Sequence, residues 1–190
     1  MNINEYQNYH ETKAHTSAEF PYNTYLCSIP LDFPGVPLHW HDELELVVIK
    51  RGQGFVSVDF DKRLVHSGDI IIIPPRCLHA IEQDDTFKME YENIIFKPDL
   101  LSSGANDLCM IQYIVPLLDG SLPIEYFLTP ALGSFEALSN CIRQIDLVCA
   151  DQTPGWQLAV KSSLFNFFFL LISERQKKTV STSSNSKSLE

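Results

Sequence analysis

The chain is 190 residues long, 45% hydrophobic and 20% charged, proportions that allow one large domain, or a domain with a small appendage, around a real core. Aspartate and glutamate outnumber lysine and arginine 24 to 14, and the resulting net charge of -10 repels nucleic-acid phosphates and anionic lipid. Non-specific electrostatic binding to either is therefore excluded as the business of this polypeptide. The first 20 residues carry no core pattern and read as an N-terminal arm. From Pro21 the chain reads as strands: Pro21 to Ile29 is rich in β-friendly residues and is closed by Pro30 and Phe33-Pro34-Gly35. Leu44 to Ile49 is a nearly unbroken apolar run that stops at Lys50-Arg51-Gly52-Gln53-Gly54, a hairpin signal. Phe55 to Phe60 alternates, Asp61-Lys62-Arg63 turns into Leu64-Val65, and Ile70 to Ile73 is a buried strand between His66-Ser67-Gly68-Asp69 and Pro74-Pro75. A further strand is expected around Met89 to Phe96. Short strands with a turn signal between each predict a β-sandwich or barrel over residues 21–128, with a short helix around Asp107 to Leu118 leading out of it.

The last third changes period. Thr129-Pro130 reads as the start of a helix on which Phe135, Leu138, Ile142, Ile145 and Cys149 recur at helical spacing, and Asp151-Gln152-Thr153-Pro154 opens a second helix running to about Arg175. Between Leu164 and Ile172 that second helix is apolar almost all round, which predicts burial on two sides, against its own domain and against a second copy of the chain. Leu158, Phe165, Phe168, Phe169 and Ile172 are the residues expected at that dimer interface, so 129–176 reads as a helical dimerisation segment. Residues 177–190, rich in serine and without an aromatic residue, read as a flexible linker.

No run reaches the ~18 to 20 consecutive apolar residues of a membrane span, and the most apolar one, Leu164 to Ile172, is interrupted by Asn166. The N-terminus lacks the basic and apolar regions of a signal peptide. The five cysteines (Cys27, Cys77, Cys109, Cys141 and Cys149) contain no Cys-x-x-Cys pair and read as reduced thiols filling core volume. A cytoplasmic location is expected.

Chemistry concentrates in His39-Trp40-His41-Asp42-Glu43-Leu44-Glu45. Alternate residues of a strand share a face, so His39 and His41 point the same way, and with Glu45 and the distant His79 they form a plausible ligand set for a divalent metal such as Zn, Ni, Fe or Mn. At ~3.3 Å per residue a straight strand would put Glu45 roughly 20 Å from His39, so the four groups meet only if the chain bends near Asp42-Glu43. The other reading of the same residues is a polar patch lining an effector pocket, with no cofactor required. Trp40 should face away from the histidines into core against the second sheet, and Cys77, of opposite parity to His79, should pack. Tyr25 and Cys27 are candidates for the barrel mouth, whereas His10, His15 and His66 lie in polar surroundings and are expected to be solvated. No nucleophile is paired with a general base, so hydrolase chemistry has no support.

The order His39-x-His41-x3-Glu45-x6-Gly52 matches the first cupin motif, and Gly68-x5-Pro74 followed by His79 matches most of the second. Arg76 stands where a glycine is usual, Gln83 where an asparagine is, and Gly35 lies closer to His39 than the motif wants. More narrowly, PLHWHDELELVVIKRGQGFVSVD, SGDIIIIPPRCLHAIE and YENIIFKPDLL resemble the sensor domain of AraC/XylS-type transcription regulators. MIQYIVPLLDGSLP and TPGWQLAVKSSLFNFFFLLISER resemble the two-helix appendage of the same regulators, so the likeness runs from about Tyr22 to Arg175. It implies a mainly β fold with C-terminal helices: a cupin-like double-stranded β-helix, or jelly-roll barrel, plus an antiparallel helix pair. It further implies a small polar, sugar-like effector bound inside the barrel and a homodimer formed through the helices. In such regulators a pair of helix-turn-helix motifs reads DNA beyond this region, and none lies within these residues.

Two functions compete at this level. One is a non-catalytic effector-binding and dimerisation domain, with His39, His41, Glu45, His79 and Tyr25 lining its pocket. The other is a metal-dependent cupin enzyme, an oxygenase or isomerase working from the His/His/Glu/His set. The regulatory reading is preferred, since it accounts for the whole chain and the enzymatic one for four residues. Linkage is its expected mechanism: effector binding biases how barrel, arm and helix pair pack.

Overall fold

The computed structural model describes residues 2–104 and 107–186, with side chains through residue 175. It divides into two compact units, one comprising the chain up to Leu100 together with Glu125–Thr129, the other Leu101–Ile124 and the chain from Pro130 onward. The first unit begins with α1 (Ile3–Gln7), whose Asn2 cap accepts from the Glu5 amide while the Glu5 carboxylate accepts from the Asn2 amide. Eight strands follow: β1 (Tyr22–Ile29), β2 (Gly35–His39), β3 (Leu44–Val58), β4 (Asp61–His66), β5 (Ile70–Ile73), β6 (His79–Gln83), β7 (Met89–Phe96) and β8 (Phe127–Leu128). Every pairing among these strands is antiparallel, and a parallel bridge joins His10 of the arm to Trp40. One sheet runs β1-β7-β3-β5-β8, and the other joins β2 to β6, β6 to β3 and β3 to β4. Because β3 belongs to both, the two sheets close into a double-stranded β-helix, the architecture the family resemblance implies.

The barrel interior is filled by Val47, Ile49, Val56, Val58, Ile71, Ile73, Ile81, Met89 and Tyr91 among others. Glu45 shares strand parity with Val47 and Ile49, so its carboxylate is carried into an otherwise apolar core. Leu44, Leu46 and Val48, of the opposite parity, are buried as well, which is why this half of β3 reads as a continuous apolar run.

Lys50 to Gly54 does not form the hairpin its composition suggests; β3 runs straight through it. A register shift between Ile49 and Arg51 and a left-handed Gly52 (φ +78°) bend the strand so that its first half pairs with β5 and β7 and its second with β4 and β6. A Cβ on Gly52 would overlap the Lys88 carbonyl oxygen, so the glycine serves close approach of β7 rather than chain reversal. The arm belongs to the barrel unit, and its residues 9–11 lie along Trp40.

In the second unit a π-helical turn (Met110–Ile114) runs into α2 (Val115–Leu118), and α3 (Phe135–Asp151) pairs with α4 (Trp156–Ser186). Thr129-Pro130 does not open α3, which starts only after Ser134. The α3 end is set by Gln152 in the left-handed conformation (φ +45°) and by Gly155 (φ +89°), so the link to α4 is short and the two helices form a hairpin. Leu138, Cys141, Ile142 and Ile145 of α3 and Val160, Leu164, Phe167, Phe168 and Leu171 of α4 are buried. Helical backbone continues past the anticipated end at Arg175 to Ser186; residues 187–190 of the expected linker lie outside the described residues. By length and composition alone Trp156–Arg175 is long and apolar enough to cross a membrane, contrary to the reading of its sequence, although 28% of it is buried within the protein.

Candidate functional site

Between β2 and β3 the chain breaks at residues 40–43, and that corner supplies the bend the ligand arithmetic requires. His39 closes β2 and lies opposite His79 of β6 in the ladder, His41 sits in the corner, and Glu45 enters the barrel from β3. The ring nitrogens of His39, His41 and His79 offer ligand atoms all within 4.8 Å of one another. The Oε2 atom of Glu45 is 3.0 Å from His41 Nε2 and 3.3 Å from His79 Nε2.

Each imidazole is oriented in the same way. Nδ1 of His39 donates to the Pro37 carbonyl (2.9 Å), Nδ1 of His41 to that of Glu43 (3.2 Å) and Nδ1 of His79 to that of Cys77 (2.9 Å). A carbonyl only accepts, so Nδ1 carries the proton and every Nε2 is left to face the cluster. This is the outer-shell arrangement that presents histidines to a metal. His79 Nε2 is buried without a hydrogen-bond partner, although Glu45 lies close to it.

Electrostatics bind the cluster together. Burial pushes the Glu45 carboxyl upward, but the hydrogen bond from His41 and the neighbouring His79 outweigh it and hold the group well below the usual carboxylate range. Burial pushes His41 down, yet the bond to Glu45 and the charges of Glu45, Glu43 and Glu11 raise it above the ordinary imidazole value. His39 is lowered, by burial first and then by His79. His41 and Glu45 therefore form a buried ion pair.

A cavity of about 270 Å³ opens onto the cluster. Its wall brings together all five residues expected to line a pocket, His39, His41, Glu45, His79 and Tyr25, and adds Cys27, Phe33, Val36, Ile81, Tyr91, Asn93 and Ile95. Asn93 Oδ1 is buried without a hydrogen-bond partner, the buried Tyr91 OH has only the Cys27 thiol as partner, and burial raises the Tyr91 phenol. The side-chain oxygens and nitrogens left unpaired inside this wall are what a polar ligand would satisfy.

Nine pocket residues escaped the sequence reading, and three of them, Glu11, Lys13 and His15, come from the arm. His15 is buried rather than solvated, with its Nε2 2.9 Å from Glu11 and its ring against Tyr25 and His41. A polar neighbourhood in sequence misled here, because the arm folds back onto the barrel. Trp40 is buried, but beneath the arm instead of against the second sheet: it is stacked between Tyr6 (4.8 Å) and His10 (4.2 Å) and donates from Nε1 to the Tyr6 carbonyl. His66 is exposed as expected. Cys77 is absent from the pocket wall, and burial pushes its thiol up to about 12. At the position where a glycine is usual, Arg76 adopts φ +63°, held by its amide to the His41 carbonyl (2.7 Å) and by its guanidinium to Asp42 (2.8 Å).

Of the residues expected at a dimer interface, Leu158, Phe165 and Phe169 are exposed along one stripe of α4 and Ile172 is half-buried beside them. Phe168 is corrected to core: helical spacing turns it about 80° away from that stripe, and it is 1% exposed.

A model of the AraC-like ligand-binding domain matches residues 23–168. Two Bacillus subtilis (strain 168) proteins described as uncharacterized HTH-type transcriptional regulators are similar. YdeC is 32% identical over 159 residues, 83% of this chain and 54% of that protein; YbfI is 26% identical over 72 residues, 38% of this chain and 26% of that protein. The chain thus spans about half the length of the first of these relatives. Among solved structures, a cupin protein from Bacteroides fragilis is 24% identical over 46% of this chain and 80% of its own, with a TM-score of 0.39. The DMSP lyase DddQ from Ruegeria pomeroyi is 18% identical over 45% of this chain and 42% of its own, with a TM-score of 0.37.

Proposed function

Since this chain belongs to the AraC-like ligand-binding domain family, we propose that it is the effector-sensing and dimerisation portion of a cytoplasmic transcription regulator. A small polar metabolite of sugar-like, hydroxyl-rich character binds in the barrel, and DNA is read by a helix-turn-helix segment outside these residues, as the description of the relatives as HTH-type suggests. The observation that carries this reading is the cavity of about 270 Å³ whose wall holds unpaired buried polar atoms on His15, His79 and Asn93. A hydroxyl-rich molecule offers donors and acceptors to each. The apolar stripe Leu158, Phe165, Phe169 and Ile172 supports pairing of two copies through α4. Effector binding acts by linkage. Glu11, Lys13 and His15 share the pocket wall with the barrel, so a ligand touching both stabilises the docked arm over the undocked one.

The test is a thermal-shift panel of polyols, aldoses and small organic acids on the wild-type chain and on Asn93→Leu. A saturable stabilisation lost in the variant supports a pocket sensor, whereas no stabilisation by any class at millimolar concentration refutes it. Truncation of residues 1–20 in the full regulator, if it left effector affinity and response unchanged, would remove the arm from the mechanism.

A second reading is favoured by a specific observation. Three Nε2 atoms and a carboxylate converge, with His79 Nε2 lacking a hydrogen-bond partner, and this donor set fits a divalent cation such as Zn, Ni, Fe or Mn. His39, His41, His79 and Glu45 would hold it. A bound ion would act as a Lewis acid or an anchor for effector oxygens. Regulator relatives and the family favour a non-enzymatic role; turnover of a small polar substrate by ferrous-loaded protein, lost in His41→Ala, would instead establish the metal-dependent oxygenase or isomerase.

A further inference from the structure

The arm reaches the histidine cluster through Glu11 and His15. Residues 9–11 run beside Trp40: the Trp40 amide donates to the Tyr9 carbonyl (3.0 Å), and the Glu11 amide donates to the Trp40 carbonyl (2.9 Å). Trp40 separates His39 from His41 in the chain, so this docking delivers the Glu11 side chain to the pair. Glu11 Oε2 lies 3.5 Å from His39 Nε2 and 2.9 Å from His15 Nε2.

We propose that Glu11 is a further ligand of a divalent transition cation held by His39, His41, His79 and Glu45, so that binding the ion draws the N-terminal arm onto the barrel mouth. The inference rests on the cation reading of the cluster and adds the arm to it. Two features of the geometry point to it. His39 Nδ1 is committed to the Pro37 carbonyl, so its Nε2 lone pair faces the Glu11 carboxylate with no proton between them. His79 Nε2 faces Glu45 in the same unrelieved way. One cation relieves both juxtapositions. Charge agrees: once His41 releases its Nε2 proton to solvent, Glu45 supplies one negative charge to a dication on the Nε2 side and Glu11 a second, whereas Glu43 lies at the opposite, Nδ1 edge of His41 (3.7 Å).

His15 is a positioning residue in this arrangement. It donates its Nε2 proton to Glu11, and its own carbonyl accepts from Asn23 (2.9 Å) and from the Tyr25 hydroxyl (3.3 Å), which fixes the arm where it crosses the pocket.

The chain contains its own reporters. Trp40, stacked between Tyr6 and His10, reports arm docking once Trp156, the other tryptophan, is replaced by phenylalanine. Lys13 is the first lysine or arginine of the chain, so tryptic cleavage there reads arm exposure. The full chain carrying Trp156→Phe is titrated with Zn²⁺, Ni²⁺ and Mn²⁺, following ion affinity by competition with a chromophoric chelator, Trp40 emission and the rate of cleavage after Lys13. The expected result is a saturable change in emission and slower cleavage with at least one ion. Glu11→Gln should weaken that ion by about tenfold or more and abolish both arm signals. Glu19→Gln, at an exposed carboxylate of the same arm outside the pocket wall, serves as the charge control and should leave all three readouts unchanged. Equal affinity in Glu11→Gln, or binding that leaves Trp40 and Lys13 unaltered, overturns the role of Glu11 while the four-residue site stands. No ion binding by the wild-type sequence overturns both the inference and the cation reading, leaving the effector pocket to the thermal-shift panel.

Discussion

Replacing His41 by alanine in chelator-treated protein removes the partner of the most buried charge in the molecule. Glu45 and His41 side chains are each 3% exposed and 3.0 Å apart. At that separation their attraction is about 5 to 6 kcal/mol for an effective dielectric constant of ~20, and desolvation of the two ions offsets much of it. The intact pair therefore adds little net stability, but its rupture leaves a carboxylate in an apolar barrel, at a cost of about 3 to 5 kcal/mol. For a chain of this length that loss lowers the melting temperature by roughly 6 to 20 °C. Glu45→Gln in the same background removes the buried charge, so the double variant should be at least about 2 kcal/mol less destabilised than the sum of the single variants. Urea denaturation of all four proteins near pH 6 measures the cycle. The pH dependence follows from the two shifts. Glu45, depressed below its unfolded value, contributes stability that is present above about pH 4.5 and is lost as pH falls toward its folded pKa. His41, raised above its unfolded value, contributes stability that is full below about pH 6.5 and is lost as pH rises through its folded pKa. The cost of His41→Ala should thus be greatest between those limits. Additivity of the single variants within about 0.5 kcal/mol, or a cost independent of pH, would refute the buried-pair argument.

Gly52→Ala and Gly68→Ala both place a side chain at positive φ, which costs about 1 to 2 kcal/mol, but only at Gly52 would the Cβ also overlap the backbone of β7, whereas nothing lies within 4 Å at Gly68. Gly52→Ala should be the more destabilising by at least about 1 kcal/mol in denaturant midpoints, and equal losses would contradict the close approach. Phe168→Ala should cost about 3 to 5 kcal/mol in thermal melts, whereas Phe169→Glu, on the exposed stripe, should leave the melt nearly unchanged and shift the mass measured by light scattering toward the monomer. A Phe169→Glu chain that stays dimeric would move the interface elsewhere. Tyr91→Phe removes a buried hydroxyl whose only partner is the weakly bonding Cys27 thiol and should leave ligand-free stability within about 1 kcal/mol while weakening any effector found by thermal shift. A large stability loss would instead mean that the hydroxyl is satisfied in the absence of ligand.

Much of this protein is legible in its residues because the signals involved are local. β-friendly runs between turn residues mark most strands, 3.6-residue periodicity marks α3, the Asp151-Gln152-Thr153-Pro154 punctuation and the apolar run after it mark α4, and the spacing of His39, His41 and Glu45 marks the ligand set together with the need for a bend between them. Errors fall where one local pattern serves two structures. Lys50-Arg51-Gly52-Gln53-Gly54 has the composition of a hairpin, yet both glycines are consumed by close approach of neighbouring strands, at Gly52 to Lys88 and at Gly54 to Glu82 and Met89. On α4 the all-round apolar character predicts two buried faces but cannot assign Phe168 to one of them, because that depends on where α3 packs.

By itself the sequence determined most of the larger strands, the helix pair, the family likeness and the candidate set His39, His41, Glu45 and His79, since these are encoded in local patterns and motif spacings, whereas β2, β6, β8 and α1 are not. Only the tertiary structure decided that the arm lies along Trp40, that His15 is buried, and that Glu11 joins the site. The physical reason is distance along the chain. Glu11 and His79 are 68 positions apart, and nothing in the composition of residues 1–20 records which strand they dock on. Their partners are chosen by backbone hydrogen bonds and ring stacking available only after the barrel has closed.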